Sequence, residues 1–118
     1  MYPPPDQSII AKLEGCVIDT ITFARFTIHI ACEDQKSVSF GSPFCFARAD
    51  QIKDAAWTEF PLTQSDMLRA LGATVTAAKT DAQNNLRVDF STGDTLLVSW
   101  TPQYESYELN VDGERIIV

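Results

Sequence analysis

Phe26-Thr27-Ile28-His29-Ile30-Ala31-Cys32-Glu33-Asp34-Gln35-Lys36-Ser37-Val38-Ser39-Phe40 decides the fold, because its pattern returns sixty residues later. Leu86-Arg87-Val88-Asp89-Phe90-Ser91-Thr92-Gly93-Asp94-Thr95-Leu96-Leu97-Val98-Ser99-Trp100 lies beneath it. At that offset Phe26, Ile28, Ile30, Val38 and Phe40 fall on Leu86, Val88, Phe90, Val98 and Trp100, and Asp34 falls on Asp94. Apolar residues alternate with polar ones in each block, which is the signature of a strand with one buried face. Cys32 to Lys36 and Thr92-Gly93-Asp94 are turn sequences, so each block reads as a hairpin.

Working outward, Gly15-Cys16-Val17-Ile18 and Gly72-Ala73-Thr74-Val75 each open a further strand ahead of a block. Each copy is therefore a three-stranded antiparallel meander, with the pseudo-repeat spanning about 15–46 and 72–106. Residues 104–111 make another strand, and Asp112-Gly113 turns it into 114–118. One helix is expected between the copies, with Thr63 as N-cap, Asp66 completing a capping box, and Met67, Leu68 and Leu71 on one face. Gly72 stops it. Asp50 to Trp57 adds a turn or two. Residues 1–13 read as an extended tail, leaving 14–118 as a single domain. The fold class is mainly β (α+β), a sandwich or partly open barrel with one short helix.

Composition narrows the function. The chain has 118 residues, 45% hydrophobic, with seven Phe, three Tyr and two Trp, enough for one core. Nine Lys and Arg against 16 Asp and Glu leave a net charge of −7. That disfavours nucleic acid, which demands clustered cations, and anionic membrane surfaces. No apolar run reaches the roughly 18–20 residues of a spanning helix, and the first residues carry no signal-peptide pattern. Cys16, Cys32 and Cys45 are odd in number and lack C-x-x-C spacing, so they read as buried thiols of a cytoplasmic protein rather than as a metal or redox site. His29, the single histidine, sits on the polar side of its strand with no paired acid. No phosphate loop, nucleophile elbow or carboxylate pair is visible, so no enzyme, cofactor or metal is expected.

The closing segment Pro102-Gln103-Tyr104-Glu105-Ser106-Tyr107-Glu108-Leu109 is the more specific feature. In a continuous strand Glu105 would share the inward face with Tyr107 and Leu109. The alternative is that the strand has not yet begun there and Glu105 caps a local turn. The order of elements over roughly residues 14–112 resembles a family of small, uncharacterised bacterial domains. These carry a capped helix ending in Leu-Gly, here Leu71-Gly72, and a closing Tyr-Glu-x-aromatic strand, here with Tyr107 where Trp is usual. In size and charge the chain is also similar to immunity proteins of contact-dependent and other polymorphic toxin systems.

That similarity implies a cytoplasmic immunity protein that binds a cognate cationic toxin domain, a nuclease in this reading, and occludes its active site. Turn carboxylates Glu33, Asp34, Asp81, Asp94, Asp112 and Glu114 are the expected contacts, with Trp57, Phe60 and Tyr104 as aromatic anchors. Two other readings stand beside it. One is a β-barrel or sandwich holding a small apolar ligand against Phe26, Ile28, Phe40, Val88 and Trp100. The other is a homodimer joined through the apolar end Ile116-Ile117-Val118.

Overall fold

Alternation of branched or aromatic residues with polar ones builds nine strands, described by a computed structural model over residues 2–48, 57–62 and 65–118. They are β1 (Ile18–Phe23), β2 (Ile28–Cys32), β3 (Ser37–Phe40), β4 (Phe44–Ala47), β5 (Val75–Thr80), β6 (Leu86–Phe90), β7 (Thr95–Val98), β8 (Tyr107–Val111) and β9 (Glu114–Ile117). Two antiparallel sheets form a sandwich: β1-β2-β3-β8-β9 and β4-β7-β6-β5. Each expected meander is present, and each sheet is completed by strands from elsewhere. The C-terminal hairpin joins the first meander through β3–β8, and β4 crosses over to join the second through β7. Inward residues of both sheets, among them Ile28, Ile30, Val88, Leu96, Val98 and Leu109, form one buried cluster.

The internal repeat is real as structure, but over the two hairpins its offset is two residues shorter than the sequence alignment, and ahead of them, where Gly15 matches Gly72 and Ile18 matches Val75, it is one residue shorter again. Matching turn bonds show it: Cys32 N–H to Lys36 O corresponds to Phe90 N–H to Asp94 O, and Gln35 N–H to Cys32 O corresponds to Gly93 N–H to Phe90 O. Ile28, Ile30 and Cys32 therefore lie over Leu86, Val88 and Phe90. A slip of two preserves which side chains face inward, because strands repeat every two residues. It misplaces only the ends. Phe26, expected in the core, precedes β2 and is 52% exposed, and Trp100 follows β7 and is half-buried. Both first strands also carry a bulge, after Ile18 and after Val75, at equivalent points of the two copies.

The two copies clasp each other reciprocally. Gly15 N–H donates to Val75 O and Gly72 N–H to Ile18 O, both at 2.8 Å. Ile18 N–H donates to Ala73 O at 2.9 Å and Val75 N–H to Cys16 O at 2.8 Å. Gly15 and Gly72 have φ of +86° and +78°, a region that L side chains avoid, so glycine is needed at both corners.

Three helical expectations change. Residues 1–13 are not wholly an extended tail: a short helix α1 (Gln7–Ile10) and a 3₁₀ turn (Ala11–Leu13) bury Ile10 and Leu13 completely. Among the described residues between the copies the helix is a single 3₁₀ turn (Met67–Ala70), with Ser65 Oγ accepting from Met67 N–H. Thr63 lies outside the described residues, as does the turn expected over 50–56. Three residues per turn place Met67, Ala70 and Ala73 inward and leave Leu68 and Leu71 exposed.

If this register holds, Ile28→Ala should cost about 2–5 kcal/mol, from lost burial and the cavity left behind. Phe26→Ala should cost less than about 1 kcal/mol. Urea unfolding of both variants measures the difference, and equal costs would contradict the shorter offset.

Candidate functional site

The sandwich has two chemically different ends. At one, the β2–β3, β6–β7 and β8–β9 turns meet the two 3₁₀ turns. Glu33 N–H bonds Val17 O, Ser91 N–H bonds Thr74 O, and Lys36 Nζ bonds Lys12 O. At the other, the links β1–β2, β3–β4, β5–β6 and β7–β8 converge. Ser99 N–H reaches Pro43 O, Trp100 N–H reaches Asn85 Oδ1, and the Tyr107 hydroxyl reaches Asn84 O. Ser42, fully buried, donates its hydroxyl to Ser99 O at 2.9 Å and Ser106 O at 3.1 Å and pins these loops together. A Cβ at Gly41 would stand 2.9 Å from Phe26 O, so glycine there lets the β1–β2 turn close onto the β3–β4 link.

The expected contact residues divide between the ends. Glu33, Asp34, Asp112 and Glu114 are exposed at the first. Two of them are paired: Asp112 with Lys12 at 2.8 Å, and Asp34 with Lys36 at 3.3 Å. The Lys12 ammonium holds the Asp112 carboxyl below its ordinary pKa. Partial burial pushes the Asp34 carboxyl up, but hydrogen bonds from Lys36 and Cys16 outweigh it and the net shift is downward.

Asp94 is not an exposed turn carboxylate. It is completely buried, accepts from Arg69 Nε at 3.0 Å and from the Thr92 hydroxyl at 2.8 Å, and fastens the second 3₁₀ turn to the β6–β7 turn. The two-residue offset explains the error: Asp94 corresponds to Lys36, and Asp34 to Thr92.

Asp81 belongs to the second end and is exposed, but its carboxylate organises its own loop by accepting from the backbone N–H groups of Gln83 and Asn85. Trp57 and Tyr104 are 50% and 48% exposed there. Phe60 is not a free surface aromatic: it is half-buried, its ring 5.5 Å from Phe44 and 6.4 Å from Phe40. Sequence reasoning missed that Tyr2, Phe23 and Phe26 are exposed at this same end. Tyr2 is brought there by the Trp100 indole N–H, which donates to its carbonyl, and Arg25 stacks over the Phe26 ring at 4.9 Å.

Beside these aromatics, Thr27, Ser39, Phe40, Glu105, Tyr107 and Glu108 line a shallow groove on the outer corner of the first sheet. Glu105 is exposed and precedes β8, so the strand has not begun at Tyr104-Glu105. Glu108 faces outward and pairs with Arg115. His29 is an exposed residue, bonded to Ser39 Oγ across β2–β3 at 2.5 Å.

All three cysteines are free and buried. Cys45 stands on β4. Cys16 and Cys32, far apart in sequence, come together because β2 pairs Cys32 opposite Ile18, two residues from Cys16. With Asp34 they place three potential ligand atoms within 4.8 Å of one another. Burial raises the Cys16 and Cys45 thiols, and burial with the neighbouring Cys16 pushes Cys32 up to about 12.

Two measurements follow from this geometry. Asp94→Ala should destabilise the fold by about 1.5–3 kcal/mol, since it removes the charged acceptor of the Arg69 guanidinium and the Thr92 hydroxyl, while Asp112→Ala should change little. With reductant removed and a chelator present, a thiol reagent at pH 8 should react slowly with native protein and count three thiols in denaturant. A thiol raised by folding keeps its proton longer than in the unfolded chain. Its contribution to stability is thus complete below the ordinary value of 9.0 and lost as pH rises toward the folded value. The urea midpoint should accordingly fall in alkali above that point.

Neither a curated protein nor a solved structure is significantly similar to the chain. One family model matches, over residues 9–118, and its first matched residue lies inside α1, whose Ile10 is part of the buried core. The chain belongs to that family, described as a family of unknown function (DUF6188).

Proposed function

We propose that this chain is an immunity-type inhibitor, a protein-binding domain that seats its aromatic end on a cationic toxin domain and covers the toxin's active site. One observation carries the reading. Tyr2, Phe23, Phe26, Trp57 and Tyr104 are exposed together at one end of the sandwich, beside the exposed carboxylates Glu59 and Glu105. Exposed aromatics ringed by charge are the composition of interface anchors, which bind by filling pockets on a partner and excluding water.

The net charge of −7 supports a cationic partner. Glu33 and Glu114, at the far end, contribute to the long-range field that draws such a partner in, and Glu59 and Glu105 act at the rim. Inhibition is steric and uses no chemistry by this chain, and three free thiols suit a reducing cytoplasm. Among the described residues no helix is long and apolar enough to cross a membrane.

The other two readings lose their residues to the core. Ile28, Phe40 and Val88 are packed in the buried cluster, Phe40 also bordering the shallow outer groove, and Phe26 is outside the cluster. Val118 is fully buried and Ile116 packs against the core, so the apolar chain end is used within its own fold.

The test is capture of partners from the native host, followed by co-expression with any toxin domain that the neighbouring reading frame proves to encode. Growth should be rescued, and the purified pair should associate more slowly as salt rises. Trp57→Ala and Tyr104→Ala should each speed dissociation tenfold or more, and Glu59→Lys with Glu105→Lys should mainly slow association. Absence of a complex, or a complex indifferent to both aromatic changes, would sink the proposal.

A further inference from the structure

We infer that Cys16, Cys32 and Asp34 form a binding site for a zinc-class divalent cation, which staples the N-terminal 3₁₀ turn to the β2–β3 turn. The geometry is already close to that of a ligated ion. Tetrahedral zinc holds thiolate sulfur at about 2.3 Å and carboxylate oxygen at about 2.0–2.2 Å, which sets the two ligand atoms roughly 3.5–3.7 Å apart. Cys16 Sγ and Asp34 Oδ2 stand 3.5 Å apart, and Cys32 Sγ lies within 4.8 Å of both. Asp34 is exposed, so an ion has a path in and a fourth position for water.

Charge balances as well. Two thiolates and a carboxylate carry three negative charges, which a divalent ion and the adjoining Lys36 ammonium cancel. Lys36 is itself held by Lys12 O at 2.8 Å and Asp34 at 3.3 Å, and it orients the carboxylate from outside the ligand set.

The second copy shows that packing does not require these residues. At the positions equivalent to Cys16, Cys32 and Asp34 it carries Ala73, Phe90 and Thr92, and it closes the corner with an ordinary buried carboxylate paired to Arg69. Soft thiolates with one hard oxygen suit zinc rather than magnesium or calcium. Binding replaces two thiol protons, written as 2 R–SH + M²⁺ → M(SR)₂ + 2 H⁺, so affinity weakens as pH falls.

The experiment uses the full chain, stripped with chelator, kept in a phosphine reductant without oxygen, and titrated with Co²⁺. The expected result is saturation at one ion per chain, with a sulfur-to-cobalt charge-transfer band, the visible bands of tetrahedral cobalt, and displacement by Zn²⁺. Cys45→Ser should leave the titration unchanged. Cys16→Ser should remove most of the charge-transfer intensity, and Asp34→Asn, an exposed change that leaves the fold intact, should weaken binding at least tenfold. No saturable binding, or the same bands and affinity in Asp34→Asn, would overturn the inference. So would a chain that binds no cobalt because Cys16 and Cys32 have joined as a disulfide despite the reductant.

Discussion

Four backbone hydrogen bonds clasp the two halves of this chain, and they come as two matched pairs. Gly15 to Val75 mirrors Gly72 to Ile18, and Ile18 to Ala73 mirrors Val75 to Cys16. Such reciprocity is what a two-fold axis imposes on an interface, where each side offers the other the same surface. Here the axis runs inside one polypeptide. It sets where the sheets meet, and the exchanged strands then make each half incomplete without the other. β4 leaves the first half to finish the second sheet, while the C-terminal hairpin returns to finish the first. The core can therefore be buried only when both halves are present.

From that clasp the division between the ends follows. Each half sends its hairpin turn toward the clasp, so short, tightly bonded turns collect there with ion pairs of Lys12, Lys36 and Arg69. The β1–β2, β3–β4, β5–β6 and β7–β8 links gather at the opposite end. Loops there have to cover the open mouth of the sandwich, and Phe40, Phe44 and Phe60 fill it. Aromatics beyond that cluster remain in solvent. A connection end that exposes rings on a rigid scaffold is where recognition is ordinarily placed.

Most of the fold was legible because strand alternation survives a misjudged alignment. An even slip leaves Ile28, Ile30, Val88 and Phe90 facing inward, so the sandwich and its core could be read despite an offset two residues too long. What failed was whatever depended on absolute position. Asp94 looked like Asp34 and is instead the buried partner of Arg69. Phe26 looked like a core residue and lies beyond its strand. The N-terminal residues Ile10 and Leu13 were hidden because a single turn of helix leaves no periodicity to detect. The meeting of Cys16 with Cys32 and Asp34 is set by pairing register between strands, which no spacing motif encodes. Of the expected surface anchors, Trp57 and Tyr104 stand where exposure was foreseen, whereas the fate of Phe60 turned on tertiary neighbours supplied by β3 and β4.

The exchange of strands also governs how the protein emerges during synthesis. The first meander leaves the ribosome with the open edge of β3 and an apolar face exposed, because the β8 that pairs with it is made about 70 residues later. At 5–20 residues per second that interval lasts several seconds, far longer than a hairpin needs to form. A nascent half-domain therefore waits with a sticky sheet edge until its completing strand arrives. Its vulnerability to mispairing, and its use for a holding chaperone, are fixed by topology rather than by the strength of any contact in the finished fold.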